Sequence, residues 1–257
     1  MIPEQRRENI INKLKEKDIY TIDSLTKEFK VSRITIQRDM NILEQRGLVS
    51  KVHGGVKLKA KEGQSFETRF SVRLKNNYEK KLEIAQKALN YVVDGDTIFL
   101  DSSSTVFIFA KELFKRDFLD LNIITISPAI ICEALQYPNL RVICTGGQLR
   151  HSFNMFFGAW VIEFLEKINI DSSFISAAGI SNDGEYTSSD IELANILSVV
   201  ANRSKEINLL VDSGKFSKVG MLNINAKNKH QRIITDKSVD KSMVSHLKNK
   251  ANIELIY

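Results

Sequence analysis

The sequence predicts an α/β protein in two parts: a small N-terminal helical module ending in a short β wing, and a larger body built on a mostly parallel sheet. Three observations predict this. Apolar residues recur at spacings of three and four over residues 3–46, whereas near-continuous apolar runs alternate with helical segments beyond residue 97. Charge is uneven: residues 1–60 hold 13 Lys+Arg against 8 Asp+Glu, while residues 61–257 hold 24 against 23. A chain of 257 residues that is 43% apolar is long enough for two such cores.

The first helix opens at Pro3, which suits an initial turn, and carries Ile10, Ile11 and Leu14 on one stripe to about Lys17. A second follows Tyr20, with Thr21 or Asp23 as cap and Ile22, Leu25 and Phe29 continuing the stripe. Val31-Ser32 forms a turn in which Ser32 caps a third helix. That helix reaches about Arg46 and closes at Gly47. At 100° per residue Ile36, Met40 and Leu43 share a face that must be buried, and Ile34, Thr35, Arg38 and Asn41 share the opposite one. An outward face with Arg, Thr and an uncovered Ile fits a helix in the DNA major groove, where Arg reaches guanine and Ile a thymine methyl. Residues 48–57 read as two β segments about a glycine turn, with Lys51 and Lys57 outward towards phosphates. The competing reading is a three-helix protein-docking module.

Residues 58–77 are polar and read as a linker, which gives domain expectations of 1–57, 58–77 and 78–257. A helix at about 78–93 is expected to bury Leu82, Ala85, Ala88, Leu89 and Val92. Seven runs then read as strands: 97–101, 122–126, 141–145, 172–178, 207–212, 232–235 and 252–257. Continuous apolar strands separated by helices predict a parallel sheet covered on both faces. Ligands of such sheets sit at the carboxyl ends of the strands. There the chain places Asp101-Ser102-Ser103-Ser104-Thr105, Thr125 with Ser127, Gly146-Gly147, and Asp212 to Phe216 with Lys215. Hydroxyls and amides at a helix N-terminus make a phosphate cradle, and simple helix capping explains Ser102 to Thr105 equally well. Cys132 and Cys144 lie in apolar surroundings and read as reduced, packed thiols, with no zinc spacing and no cofactor expected.

The stretch VSRITIQRDMNILEQRGLVSKVHGG resembles the N-terminal signature of the DeoR family of bacterial transcription regulators at Val31, Ser32, Thr35, Ile36, Arg38, Asp39, Leu43, Gly47, His53, Gly54 and Gly55. The resemblance continues through Glu67 and Arg69, Asp101 to Thr105, Gly146 to Arg150, Phe156 to Gly158, Gly179 with Gly184, Glu192, and Val211 to Phe216. It implies a winged helix-turn-helix domain joined to a Rossmann-like effector domain similar in fold to sugar-phosphate isomerases. The implied ligand is a phosphorylated sugar or related metabolite. The DNA-contacting set is then Ser32, Arg33, Ile34, Thr35, Gln37, Arg38, Lys51, His53 and Lys57, with His53 shaping the wing turn. Gln37 stands where the family has an arginine and exchanges a cation for an amide that pairs with adenine. Ser103 replaces a family glycine, Ile126 a Thr-Asn position and Asn195 a lysine, all of which alter the effector pocket.

The expected function is a regulator, by family habit a repressor, whose operator affinity responds to a metabolite. Because one helix-turn-helix reads few base pairs, a dimer or tetramer is expected. An isomerase carrying a DNA-binding head and a protein-interaction adaptor are the alternatives. No apolar run approaches a membrane span and residues 1–20 lack a signal peptide's apolar centre, so the expected location is the cytoplasm, away from membranes.

Overall fold

The structure is a computed structural model that describes residues 2–16, 20–46, 48–52, 55–58, 70–116, 120–226, 231–248 and 253–257. The backbone divides into two compact units, residues 1–68 and 69–257. In the first, α1 (Pro3–Glu16), α2 (Ile22–Phe29) and α3 (Arg33–Gln45) surround Ile10, Leu14, Leu25, Ile36, Met40 and Leu43. Thr21 rather than Asp23 caps α2, its Oγ1 accepting from the Ser24 amide at 3.1 Å. Lys30 ends α2 with φ 51°, so the left-handed turn between α2 and α3 falls on a lysine. The wing is β2 (Val49–Val52) paired with β3 (Gly55–Leu58), Ser50 opposite Lys57. A further strand, β1 (Tyr20–Thr21), pairs with β3 and is too short to show a period in sequence. Gly47, His53 and Gly54 lie outside the described residues.

The second unit opens with α4 (Phe70–Lys75), inside the stretch read as linker, and α5 (Tyr78–Ala88), which tightens into a 3-10 turn to Tyr91. Glu67 and Arg69 lie outside the described residues. The expected stripe holds at Ala85, Ala88 and Leu89, which are buried, while Leu82 and Val92 are only partly covered and Lys81 and Ile84 join the buried side instead. All seven apolar runs form strands of one sheet: β4 (Thr97–Leu100), β5 (Asn122–Thr125), β6 (Arg141–Cys144), β9 (Ile170–Ile175), β12 (Ser204–Leu210), β14 (Gln231–Ile234) and β15 (Ile253–Ile256). Their order is β15-β14-β12-β9-β4-β5-β6 and every neighbouring pair is parallel.

Alternate strand residues feed two cores, which is why the runs show no polar alternation. On one face α5, α6 (Ser104–Leu113) and α7 (Pro128–Ala134) cover Ile98, Leu100, Ile123, Phe174 and Leu210. On the other, α8 (Ala159–Glu166), α9 (Ile191–Arg203) and α10 (Lys241–Lys248) cover Phe99, Ile124, Ile175, Ile207 and Ile233. A hairpin of β7 (Gln148–Arg150) and β8 (Met155–Phe157) and a small sheet of β10 (Gly179–Ile180), β11 (Tyr186–Ser188) and β13 (Leu222–Asn223) complete the unit.

The cysteines correct an expectation. Both are free thiols, yet Cys132 and Cys144 are exposed. Cys144 lies on β6, an edge strand, and Cys132 on the open side of α7, so apolar sequence neighbours do not bring cover with them. Among the described residues no His, Cys, Asp and Glu cluster has the form of a metal site, and no helix is long and apolar enough to cross a membrane.

Candidate ligand site and nucleic-acid interface

Asp39 fixes how α3 presents itself. It is 2% exposed on the buried face beside Met40, and it accepts from Arg6 Nε at 2.6 Å and Arg7 Nη1 at 3.1 Å, both on α1. With Ile36, Met40 and Leu43 turned inward, Ser32, Arg33, Ile34, Gln37 and Arg38 are exposed, and Ile34 keeps 66% of its surface. Ser32 caps the helix, its Oγ accepting the Thr35 amide at 3.2 Å and standing 2.9 Å from Thr35 Oγ1. That leaves Thr35 half-buried and partnered. Arg33 is held by an ion pair to Asp23 of α2. Lys51 and Lys57 lie on β2 and β3 by backbone position, and His53 falls outside the described residues.

In the second unit the sheet order reverses between β4 and β9: β5 and β6 extend one way, β12, β14 and β15 the other. Such a switch opens a crevice at the strands' carboxyl ends. Asp101 spans it. The Ser103 amide donates to Oδ1 and the Ser176 amide, just after β9, to Oδ2, each at 2.7 Å. Burial pushes the Asp101 carboxyl up, against the pull of those bonds and of the Arg73 charge. Ser103 has φ −74°, a conformation any residue adopts, so the missing glycine brings no strain there. Its Oγ accepts the Val106 amide at 3.1 Å and is therefore the cap of α6. The amides of Ser104 and Thr105, in the first turn of a helix that starts at the carboxyl end of β4, have no acceptor within the helix. Ser102, Ser104 and Thr105 are buried beside them.

The other expected residues divide. Thr125 donates to the Leu100 carbonyl at 2.7 Å and accepts the Ser127 amide at 3.0 Å, which commits it to holding the end of β5. Ser127 caps α7 and receives Asn154 Nδ2 at 2.8 Å. Gly146 and Gly147 turn with φ 65° and 110°, and a Cβ on Gly147 would stand 2.7 Å from the Phe157 carbonyl, so that glycine permits close packing. Glu192 is half-buried in the first turn of α9, whose cap Asp190 is paired with Arg150 at 2.6 Å. Lys215 lies in the 3-10 turn after β12 and is half-buried.

Sequence reasoning missed two cations, Lys81 and Arg73, whose charges act on one another and reach Lys215 and Asp101. Lys81 on α5 is 5% exposed, and its Nζ donates to the carbonyls of Asn76, at 2.6 Å, and Arg73. Asn77 and Lys80 hold the loop after β12 through Asp212 at 3.3 Å and Ser213 at 2.7 Å. Burial lowers the Lys81 ammonium to about 8, helped by the Lys215 and Arg73 charges and opposed by Asp212. Burial also lowers Lys215. Three cations in one desolvated place favour an anion. The sign of the pH effect follows: each ammonium attracts only while protonated, so affinity for an anion falls as pH rises through the lowered values. Sulfate, whose charge is constant above neutrality, should bind about tenfold more weakly at pH 9 than at pH 7, measured by calorimetry.

Residues 6–62 match the DeoR-like helix-turn-helix domain, and residues 76–237 match the DeoR C terminal sensor domain. The chain is 32% identical over 243 residues to the HTH-type transcriptional regulator GolR of Listeria innocua, covering 95% of this chain and 94% of that protein. It is 30% identical to the L-fucose operon activator of Escherichia coli (90% and 94% covered) and 27% identical to the glycerol-3-phosphate regulon repressor of the same organism (90% of each). Among solved structures it overlays on ribose 5-phosphate isomerase A from Methanocaldococcus jannaschii with TM-score 0.43 at 22% identity, over 57% of this chain and 58% of that one.

Proposed function

Because this chain belongs to the DeoR family of DNA-binding transcription regulators, we propose that α3 reads an operator and that a phosphorylated sugar or polyol in the β4/β9 crevice sets its affinity. The observation that carries the DNA reading is the two-sidedness of α3: Arg38 and Ile34 lie open while Asp39 and Met40 are shut against α1. A metabolite alters operator affinity only by binding two arrangements of the protein unequally. Its phosphate is received by the Ser104 and Thr105 amides and by Lys81, Lys215 and Arg73. A single winged helix covers one half-site, so the working form is a dimer or tetramer on paired half-sites in the cytoplasm. The relatives include an activator and a repressor, and the sign of control here follows from where the operator lies, with repression the default.

Turnover of the ligand is not favoured. Both Asp101 oxygens are tied to backbone amides, a role in holding strand ends rather than in moving protons.

Arg38→Ala should weaken operator binding by about 1–3 kcal/mol while leaving the fold intact. Titration of a duplex selected from a random pool, alongside circular dichroism, measures both. Wild-type affinity in the variant would remove Arg38 from the interface. A thermal-shift panel of phosphorylated sugars and polyols tests the sensor, since a ligand of the native state raises its melting temperature.

A further inference from the structure

We propose that Lys81 is the positioning residue that reports an occupied crevice to α4, by exchanging the carbonyls at the end of that helix for the anion of the ligand. The inference rests on the sensing role above and deepens it.

α4 is six residues long and none of them is buried. Among the described residues it is held by the partial packing of Leu74 on the core and by contacts of Phe70, Arg73 and its C-terminal carbonyls. Phe70 meets Phe107 edge-on with ring centroids 5.7 Å apart. Arg73 donates to the Ser152 carbonyl at 3.3 Å and lies over the Phe153 ring. Lys81 Nζ donates to the Arg73 and Asn76 carbonyls, which close α4 and the turn after it. The last carbonyls of a helix have no donor of their own, so this ammonium serves α4 as its C-terminal cap.

The cap is a charge in need of a counter-charge. Among the described residues no carboxylate forms an ion pair with Lys81, and the charges it feels are Asp212 on one side against Lys215 and Arg73 on the other. An anion among these cations supplies what the two neutral carbonyls do not, because a bond between opposite charges is stronger than one to a carbonyl. As Lys81 turns to the anion, the end of α4 loses its donor. Elements with few buried contacts respond to such losses by local opening. α4 is also the first described helix after residues 59–69, through which the chain continues to the N-terminal unit. Loosening it is therefore felt on the covalent path between sensor and DNA reader.

The experiment is hydrogen exchange on the full chain, with and without saturating ribose 5-phosphate or sulfate. It follows the Asn76 amide, which donates to the Val72 carbonyl at 3.1 Å. In the wild type, ligand should speed exchange at Asn76 and change operator affinity about fivefold or more. In Lys81→Met exchange should be fast in both states and operator affinity indifferent to ligand, with a thermal shift still present from the remaining cations. Lys81→Arg should restore a ligand-dependent change, which a merely space-filling role would not require. Lys81→Gln carries the same expectations should the methionine variant fail to fold. A ligand-dependent change at Asn76 in Lys81→Met equal to the wild type, or Lys81→Arg behaving as Lys81→Met, overturns the proposal. A wild-type protein whose melting temperature moves with none of these anions overturns the sensing role itself, a different result from a shift without coupling.

Discussion

Asp39→Ala should unfold the N-terminal unit and abolish DNA binding while the second unit still melts cooperatively. The carboxylate is 2% exposed, and its partner Arg6 is itself only 7% exposed. Removing one member of a buried pair leaves the other charged and without compensation, which costs about 3–5 kcal/mol. A core of about 60 residues supplies little more than that, so a single substitution is enough to cross the threshold. Arg7 makes the effect harder to relieve, because its Nη1 loses the same acceptor. Calorimetry of the variant should show one transition lost and one kept. Retention of operator binding within about twofold of wild type would show that α1 and α3 dock by their apolar residues alone.

Lys215→Ala should remove the response at metabolite concentrations that saturate the wild type, and move it to about ten- to hundredfold higher ones, without weakening operator binding. The side chain stands half-buried after β12, in a loop pinned to α5 by Asn77 and Lys80, so its position is imposed by the fold. Hydrogen bonds to a charged group are worth about 1.5–3 kcal/mol, so loss of this one should weaken effector binding by about ten- to hundredfold. The check is the concentration of sugar phosphate needed to move the protein off, or onto, a fixed operator duplex. An unchanged midpoint would make Lys215 a structural residue of the turn.

What could be read beforehand follows from how strongly each feature repeats along the chain. The seven strands were legible because a strand buried on both faces is apolar at every position, and no helix of four residues competes with that reading. The opposed faces of α3 were legible because Ile36, Met40 and Leu43 hold one phase. The crevice residues after β4, β5, β6 and β12 were legible as positions, though the roles of Thr125, Ser127 and Gly147 in holding strand ends and packing depend on partners far along the chain. Lys81, and the buried pairing of Asp39 beyond its place in the family signature, went unread for one shared reason. Each sits at a core position of its helix, Lys81 three, four and seven residues before Ile84, Ala85 and Ala88, and Asp39 three after Ile36. A charge inside an apolar stripe is signalled by its phase, which a count of the apolar residues alone does not use. β1 and the α4 helix carry too few residues to show any period. The cysteines misled because local hydrophobicity says nothing about which strand lies at the edge, as for Cys144, or which side of a helix faces the sheet, as for Cys132.

With α3 in the DNA-reading role proposed above, the pairing of Arg33 with Asp23 bears on how such a protein searches a chromosome. An arginine already engaged is a poor scavenger of stray backbone phosphates. At an exposed pair the deterrent is slight, under about 1 kcal/mol. Multiplied across about a million or more wrong addresses, even a few-fold reluctance returns idle copies to solution sooner and leaves more of them for the one stretch of duplex whose other contacts make breaking that pair worthwhile.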